Sequence, residues 1–492
     1  MTKKLIFAVA AVLVVLSLMV APAQAQAPDQ LRINSAIANG LSFLATQQQA
    51  NGSWCDPYLA TQDCIATTGL VLMIFQENAL RTGWLPSNPN YQYEPQVSAG
   101  LTYLFNNIDG TIVSAGFFGV YPTYDTSIGI MAIALSVAPN HVIPVGLFEG
   151  YTYKSVLQGM INWLQANRNP ADGGWSYYAY GYNGYIEPSD QSNTSYAALA
   201  LEYAHSPQYN FNLDISSSVI AGLATWSAND QDLVPGVDWG GAFYDNLQSL
   251  PGANIYRTGG LLHELALVGE TATSPRVQDA VSFIQNVWGN IAGEGSGGGW
   301  IGNYQAMFSL MKGMESLNIQ QITVGGSQIY WYDPVATYIL NNEIVVDATT
   351  KCYWSSIYEE PVGTPILSTA WALETLEYGM LPLFQVNSAP ALVSTTASGL
   401  AYSRVSKTYI GTVTITNIWR YTINGPFYIV FTSLTDGVTL ANASGTYYGS
   451  PYVTVNTTSL AAGQSATVSV QFSDPANAKI NFTPVIYVAG QI

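Results

Sequence analysis

Three aspartates, Asp63, Asp125 and Asp190, each open a long apolar stretch, and Ser192 and Asn193 follow closely on Asp190. A carboxylate at the start of a helix accepts free backbone N–H groups and offsets the positive end of the dipole. Shielded from water, the same carboxylate holds its proton more tightly and can serve as a general acid or base. Asp125 and Asp190 are therefore the candidate catalytic pair, because two carboxylates facing one another are what glycoside hydrolysis uses. Asp63, Ser192 and Asn193 would offer polar contacts to the same ligand. A second group is aromatic: Trp54, Trp175, Trp239 and Trp300 lie in Gly-containing loops, and Tyr178 lies in the run Tyr177-Tyr178-Ala179-Tyr180-Gly181-Tyr182. Two roles fit such a tryptophan, a clamp that packs the loop down or a platform on which a sugar or isoprenoid stacks. The three histidines, His141, His205 and His263, show no paired ligand spacing, so neither a metal nor a cofactor is expected. Asp230-Gln231-Asp232 with Asp238 lacks the spacing of a calcium loop and reads as a solvated turn.

The elements that must position these groups repeat. Phe43, Tyr103, Trp163, Trp226, Phe283 and Tyr338 recur about every sixty residues at the same place in a helix-like stretch. Each unit holds two apolar-periodic stretches, such as 31–49 and 62–79, long enough and rich enough in Ala, Leu and Met to be helices. Six pairs give twelve helices. A closed ring buries every seam, whereas an open superhelix leaves two ends to cap. The second stretch of each pair is the more apolar, which places it on the inside. The inner helices then run parallel, and their N-termini, the Gly-Trp loops and the tyrosine run share one mouth over a central cavity.

Residues 31–380 resemble the terpenoid-cyclase and prenyltransferase superfamily. The segment Gln48-Gln49-Ala50-Asn51-Gly52-Ser53-Trp54 is similar to the Gln-x-x-x-Gly-x-Trp motif of squalene–hopene cyclases, and it follows a Gly40-Leu41-Ser42-Phe43-Leu44 helix. The resemblance implies an α/α toroid of six helix pairs. Squalene–hopene cyclases carry Asp-x-Asp-Asp-Thr at the start of an inner helix, where the middle acid protonates an alkene. The corresponding run is Asp190-Gln191-Ser192-Asn193-Thr194, with Ser192 at the donor position. A serine hydroxyl is far too weak an acid for that step. The last inner helix, Thr364–Leu376, has no His or Cys to hold a prenyltransferase zinc, and the Gly-Cys-Gly-Glu-Gln run of complement-type thioester domains is absent.

Lys3 and Lys4, an apolar run from Leu5 to about Val20 and Ala23-Gln24-Ala25 read as a secretion signal over 1–25 of bacterial type. The expected product is secreted, extracellular or periplasmic, with no stable membrane anchor after cleavage. In that setting Cys55 and Cys64 are expected to form a disulfide across the first mouth loop, leaving Cys352 as a buried thiol or, with no histidine beside it, a less apt nucleophile. The formal net charge of −17 opposes nucleic acid and other polyanions as partners. Charged residues are only 9% while Tyr number 33, so the surface is polar and aromatic. The toroid is expected over 26–382. From 383 to 492 the pattern alternates, as in Thr412-Val413-Thr414-Ile415-Thr416, and suits a small all-β Ig-like sandwich. The runs Gly437-Val438-Thr439-Leu440, Gly449-Ser450-Pro451-Tyr452 and Leu460-Ala461-Ala462-Gly463-Gln464-Ser465 resemble an accessory Ig-like domain of exported bacterial proteins, which implies a spacer or attachment module. The functional expectation is a binding or scaffold protein whose mouth takes an apolar or neutral glycan ligand. The alternative is an exported enzyme, either a polysaccharide lyase or glycosidase or an isoprenoid cyclase with a relocated acid.

Overall fold

The computed structural model describes residues 28–55, 64–246, 252–347, 351–356, 365–381, 383–447 and 449–489. The segment read as a secretion signal and Asp63 lie outside the described residues. Twelve α-helices are found among them: α1 (Gln30–Gln47), α2 (Ile65–Arg81), α3 (Glu94–Asn107), α4 (Pro122–Ala134), α5 (Tyr153–Ala166), α6 (Gln191–His205), α7 (Ser217–Asp230), α8 (Ile255–Leu267), α9 (Pro275–Val287), α10 (Tyr304–Ser316), α11 (Tyr332–Asn341) and α12 (Pro365–Tyr378). The even-numbered helices pack in order, α2 on α4, α4 on α6, then α8, α10 and α12, and α12 returns to pack on α2. The inner ring therefore closes, as the repeat predicts. Inner helices such as α2, α4 and α6 are buried over nearly all of their length, while α3 and α7 bury only a stripe. The recurring aromatic anchors sit on the outer helices, on or against the seam between the two layers.

One device repeats where each loop turns from outer to inner helix. The Trp54 indole N–H donates to Leu44 O at 2.7 Å, and the Trp54 backbone N–H donates to Thr68 Oγ1 at 2.9 Å. Trp175 does the same to Leu164 O and Thr194 Oγ1, and Trp354 to Ile339 O and Thr369 Oγ1. Phe117 and Ala242 take the equivalent backbone position against Thr126 and Thr258. In these three loops the tryptophan thus ties the chain to the end of the preceding outer helix and the start of the following inner one. Gly52, at φ +92°, lets the loop approach the next unit, where a Cβ would lie 2.2 Å from Ala99 O. Gln48 bridges the same seam through Gln96 O. Trp175→Phe keeps the packing and loses the indole hydrogen bond; its urea midpoint is expected to fall by an amount equal to about 1 kcal/mol.

The C-terminal region is β-rich. One antiparallel sheet runs Thr439–Leu440, Ser465–Ser473, Thr408–Asn417, Val393–Ala397, and Val413 pairs with Val468. The other runs Gly445–Tyr447, Ser450–Val455, Phe427–Thr432, Thr483–Ala489, Leu383–Gln385. Val413, Ile415, Val470 and Phe472 from the first meet Phe427, Ile429, Val453 and Ile486 from the second in one core, which makes the pair of sheets a sandwich. The sandwich rests on the first two turns of α1: Leu31 packs among Tyr428, Val430 and Tyr452, Thr454 donates to Asp29, and Ser35 donates to Thr446 O. Those turns lie at the end of α1 remote from the mouth. No described helix is long and apolar enough to cross a membrane. Cys55 and Cys64 form the expected disulfide. Cys352 is fully buried and directs its sulfur towards Ala36 O; burial holds its thiol far above the ordinary range, so it is a packed and unreactive group.

Candidate functional site: the mouth of the inner ring

A cavity of about 370 Å³ opens where the inner helices begin. All six contribute from their N-terminal parts: Thr67 and Leu70, Tyr124 and Ile128, Ser192 and Tyr196, Tyr256, Gln305, and Leu367 with Trp371. The loops add Tyr121, Tyr177, Tyr244 and Glu294. Tyr196 stacks near Phe308 at 6.4 Å, and Trp371 donates to the Tyr196 hydroxyl at 3.3 Å. These side chains narrow the axis, so the cavity is a pocket and not a channel. Its size lies at the lower end of small-ligand pockets, roughly 300–1,000 Å³.

Asp190 is the N-cap of α6 and is buried. It accepts from the Asn193 backbone N–H and from Asn193 Nδ2, both at 2.9 Å, and from the Ser192 hydroxyl. Burial pushes its carboxyl up to about 6, against the pull of those hydrogen bonds. Asp190 therefore stands behind the pocket wall, and Ser192 is the group that faces the pocket. The Ser192 proton is committed to Asp190, and its oxygen stands within hydrogen-bonding reach of the phenols around it. The Tyr124, Tyr177 and Tyr244 phenols gather around it, and burial holds all three above the ordinary phenol range. They act as neutral hydrogen-bonding groups.

Asp125 lines the pocket but does not cap its own helix, which starts three residues earlier at Pro122. Its carboxylate accepts instead from the Ala66 N–H at 3.1 Å, at the start of the neighbouring α2. Parallel inner helices place one helix's first turn beside the next, and this makes the cross-helix cap possible. Asn254 and Asn303 cap α8 and α10 in the ordinary way.

The tryptophans have other positions. Trp54 and Trp175 have no exposed surface and serve the wall as clamps, Trp300 is 4% exposed and packs against Trp288 and Tyr338, and none of the three offers a platform to a ligand. Trp239 lies three residues before Ala242, which occupies the clamp position of its unit, and is half-buried. The longer loop between Gln231 and Gly240 displaces it: Gln231 takes the bridging role of Gln48, donating to Arg276 O. Trp354 is the clamp of the last unit that the spacing did not reveal. Tyr178 is 38% exposed on the collar and stacks on Tyr182. Asp230, expected in a solvated turn, is instead fully buried at the end of α7 beside Glu264 and Arg257; burial pushes its carboxyl well above the ordinary range, against the pull of Arg257. Of the pocket tyrosines, sequence placed only Tyr177 at the mouth, within the tyrosine run; the others were not singled out. Their signal was present in Tyr124 and Tyr256, each two residues before the threonine that anchors a loop.

At the opposite end of the ring the C-terminal turns of the inner helices surround a second, polar cavity of about 470 Å³. Its wall contains Lys312, which lies 3.4 Å from Glu77, 3.5 Å from Glu374 and 2.9 Å from the Tyr203 hydroxyl. A cation suits the negative end of the helix dipoles. His263 Nδ1 lies near both Ser316 Oγ at 2.8 Å and Glu202 at 3.1 Å; both use one ring nitrogen, and Ser316 donates to Lys312 O, so these residues do not form a nucleophilic relay. Among the described residues no group of three or more His, Cys, Asp or Glu is placed to hold a metal.

No protein-family model matches the chain, and no curated protein matches it. Solved structures do. The type II terpene cyclase MstE from Scytonema shows 14% identity, with 72% of this chain and 99% of that chain covered and a TM-score of 0.43. A GH76A α-1,6-mannanase from Salegentibacter shows 11% identity, with 71% and 98% covered and a TM-score of 0.45. Salmonella α-2-macroglobulin shows 10% identity over 93% of this chain and 30% of that chain, with a TM-score of 0.34.

Proposed function

We propose that the chain is an exported binding protein whose ring mouth takes a neutral ligand, apolar or glycan, while the C-terminal sandwich, read as an Ig-like module, spaces or attaches it. The observation that carries this reading is the pocket itself. Six tyrosines line it, closed below by Trp371 and Phe308, and the first turns of all six inner helices build it. Side chains of this type bring apolar faces and neutral hydrogen-bonding groups together. Glu294 on its wall is paired with Arg257 at 2.7 Å, so that cation is not free for an anion, and the net charge of −17 disfavours one.

One observation favours a second reading, an exported enzyme. Asp190, with its carboxyl near 6, is hydrogen-bonded to a serine on the pocket wall. Such a group can take or give a proton near neutral pH. Titration of the mature protein with neutral oligosaccharides and with geranylgeraniol, followed by intrinsic tryptophan fluorescence and then by mass analysis, separates the two. Saturable binding with the ligand recovered unchanged is expected. Conversion of the ligand replaces binding by catalysis, and absence of binding to both ligand classes rejects the proposed pocket.

A further inference from the structure

The pocket does not end at its rim. Tyrosine rings follow one another from the surface to the floor: Tyr121 lies 5.5 Å from Tyr177, Tyr177 lies 5.7 Å from Tyr124, and Tyr124 lies 5.2 Å from Tyr196. Tyr121 is 37% exposed, and Tyr196 is buried beside Phe308. Outside Tyr177 the same loop carries Tyr178 and Tyr182, stacked at 5.7 Å and 14°, and then Tyr185 at 66% exposure. Gly181, Asn183 and Gly184 all adopt positive φ there, so the backbone turns tightly and leaves the rings proud of the surface.

We propose, building on the reading of the mouth as a ligand pocket, that it is the inner end of an extended cleft for a neutral glycan chain, with outer subsites on the Tyr178–Tyr185 collar. Three arguments choose this occupant. The path from surface to floor is built of tyrosine, whose ring covers the apolar face of a sugar while its hydroxyl meets the sugar's own hydroxyls. The Tyr177 and Tyr244 hydroxyls share one hydrogen bond and Ser192 donates to Asp190, and a glycan hydroxyl can add a further hydrogen bond to such groups where an isoprenoid makes none. The net charge of −17 opposes a uronic or sulfated chain, Arg257 is held in an ion pair with Glu294 on the wall, and Arg168 is the one basic residue in the loop 167–190, so the collar lacks the basic cluster that holds anionic lipid. A single sugar would contact only the pocket, whereas a chain would also cover the stacked collar rings.

The test compares matched di- and hexasaccharides of α-linked mannose, β-linked glucose and β-linked N-acetylglucosamine by calorimetry, beside geranylgeraniol. For one of these sugars the hexasaccharide is expected to bind about tenfold or more tighter than the disaccharide. Tyr182→Ala and Tyr185→Ala, at exposed positions, are expected to shrink that ratio. Equal affinity at both lengths, or a ratio the collar variants do not move, overturns the extended cleft and leaves the pocket standing. Binding of geranylgeraniol with no saccharide bound overturns the glycan occupant alone. Failure of every probe overturns the pocket reading beneath it.

Discussion

Replacing Lys312 by methionine is expected to lower the unfolding free energy by about 3–5 kcal/mol, read as a shift of the denaturant midpoint at neutral pH. Lys312 is 6% exposed and holds together groups from three other inner helices: Glu77 on α2, Tyr203 on α6 and Glu374 on α12. Burial opposes ionisation of Glu77, yet Lys312 and Arg81 keep its carboxyl below the ordinary value. Burial and the nearby Glu77 push Glu374 the other way, to about 8, so it is protonated at neutral pH. Lys312 and Glu77 therefore form the ionised pair. Methionine would leave Glu77 buried with only Arg81, at 3.8 Å, to oppose its charge. The double variant Lys312→Met with Glu77→Gln removes both charges and is expected to recover most of the loss. If the single and double variants are equally destabilised, the pair is not what holds these helices.

The second large effect concerns pH. Asp190 has a native carboxyl near 6 against an ordinary value of 3.8. The native state thus binds this proton more tightly than the unfolded chain does. The resulting contribution favours folding in full below about 3.8 and is lost as pH rises from there through about 6, a change of about 3 kcal/mol. Asp190→Asn keeps a capping oxygen for the Asn193 N–H but cannot ionise. The difference in unfolding free energy between wild type and this variant is expected to move by about 2.5 kcal/mol in the variant's favour from pH 4 to pH 7.5. A constant difference across that range would mean that Asp190 titrates as an exposed carboxylate and has no special chemistry to offer the pocket.

These two sites were legible to different degrees. Asp190 announces itself, because a helix N-cap is local: the acid, the following Ser192 and Asn193 and the apolar run behind them lie within one turn. The Lys312 cluster does not, since Lys312 and Glu77 are 235 positions apart and each reads alone as an ordinary residue on an amphipathic helix. The tryptophans show an intermediate case. Their loops were evident as repeats, but whether the indole points into the wall or out to a ligand depends on the carbonyl at the end of the preceding helix, as Leu44 O shows for Trp54.

The sequence by itself determined the twelve helices, their pairing, the β-rich tail and the capping role of Asp190, because helix periodicity, repeat length and N-cap chemistry act over a few residues. Only the tertiary structure decided that Asp125 caps a neighbour and that tyrosines from separate repeats line the mouth. Closure brings together first turns separated by whole repeats, and no local pattern records which side chains will then face one another.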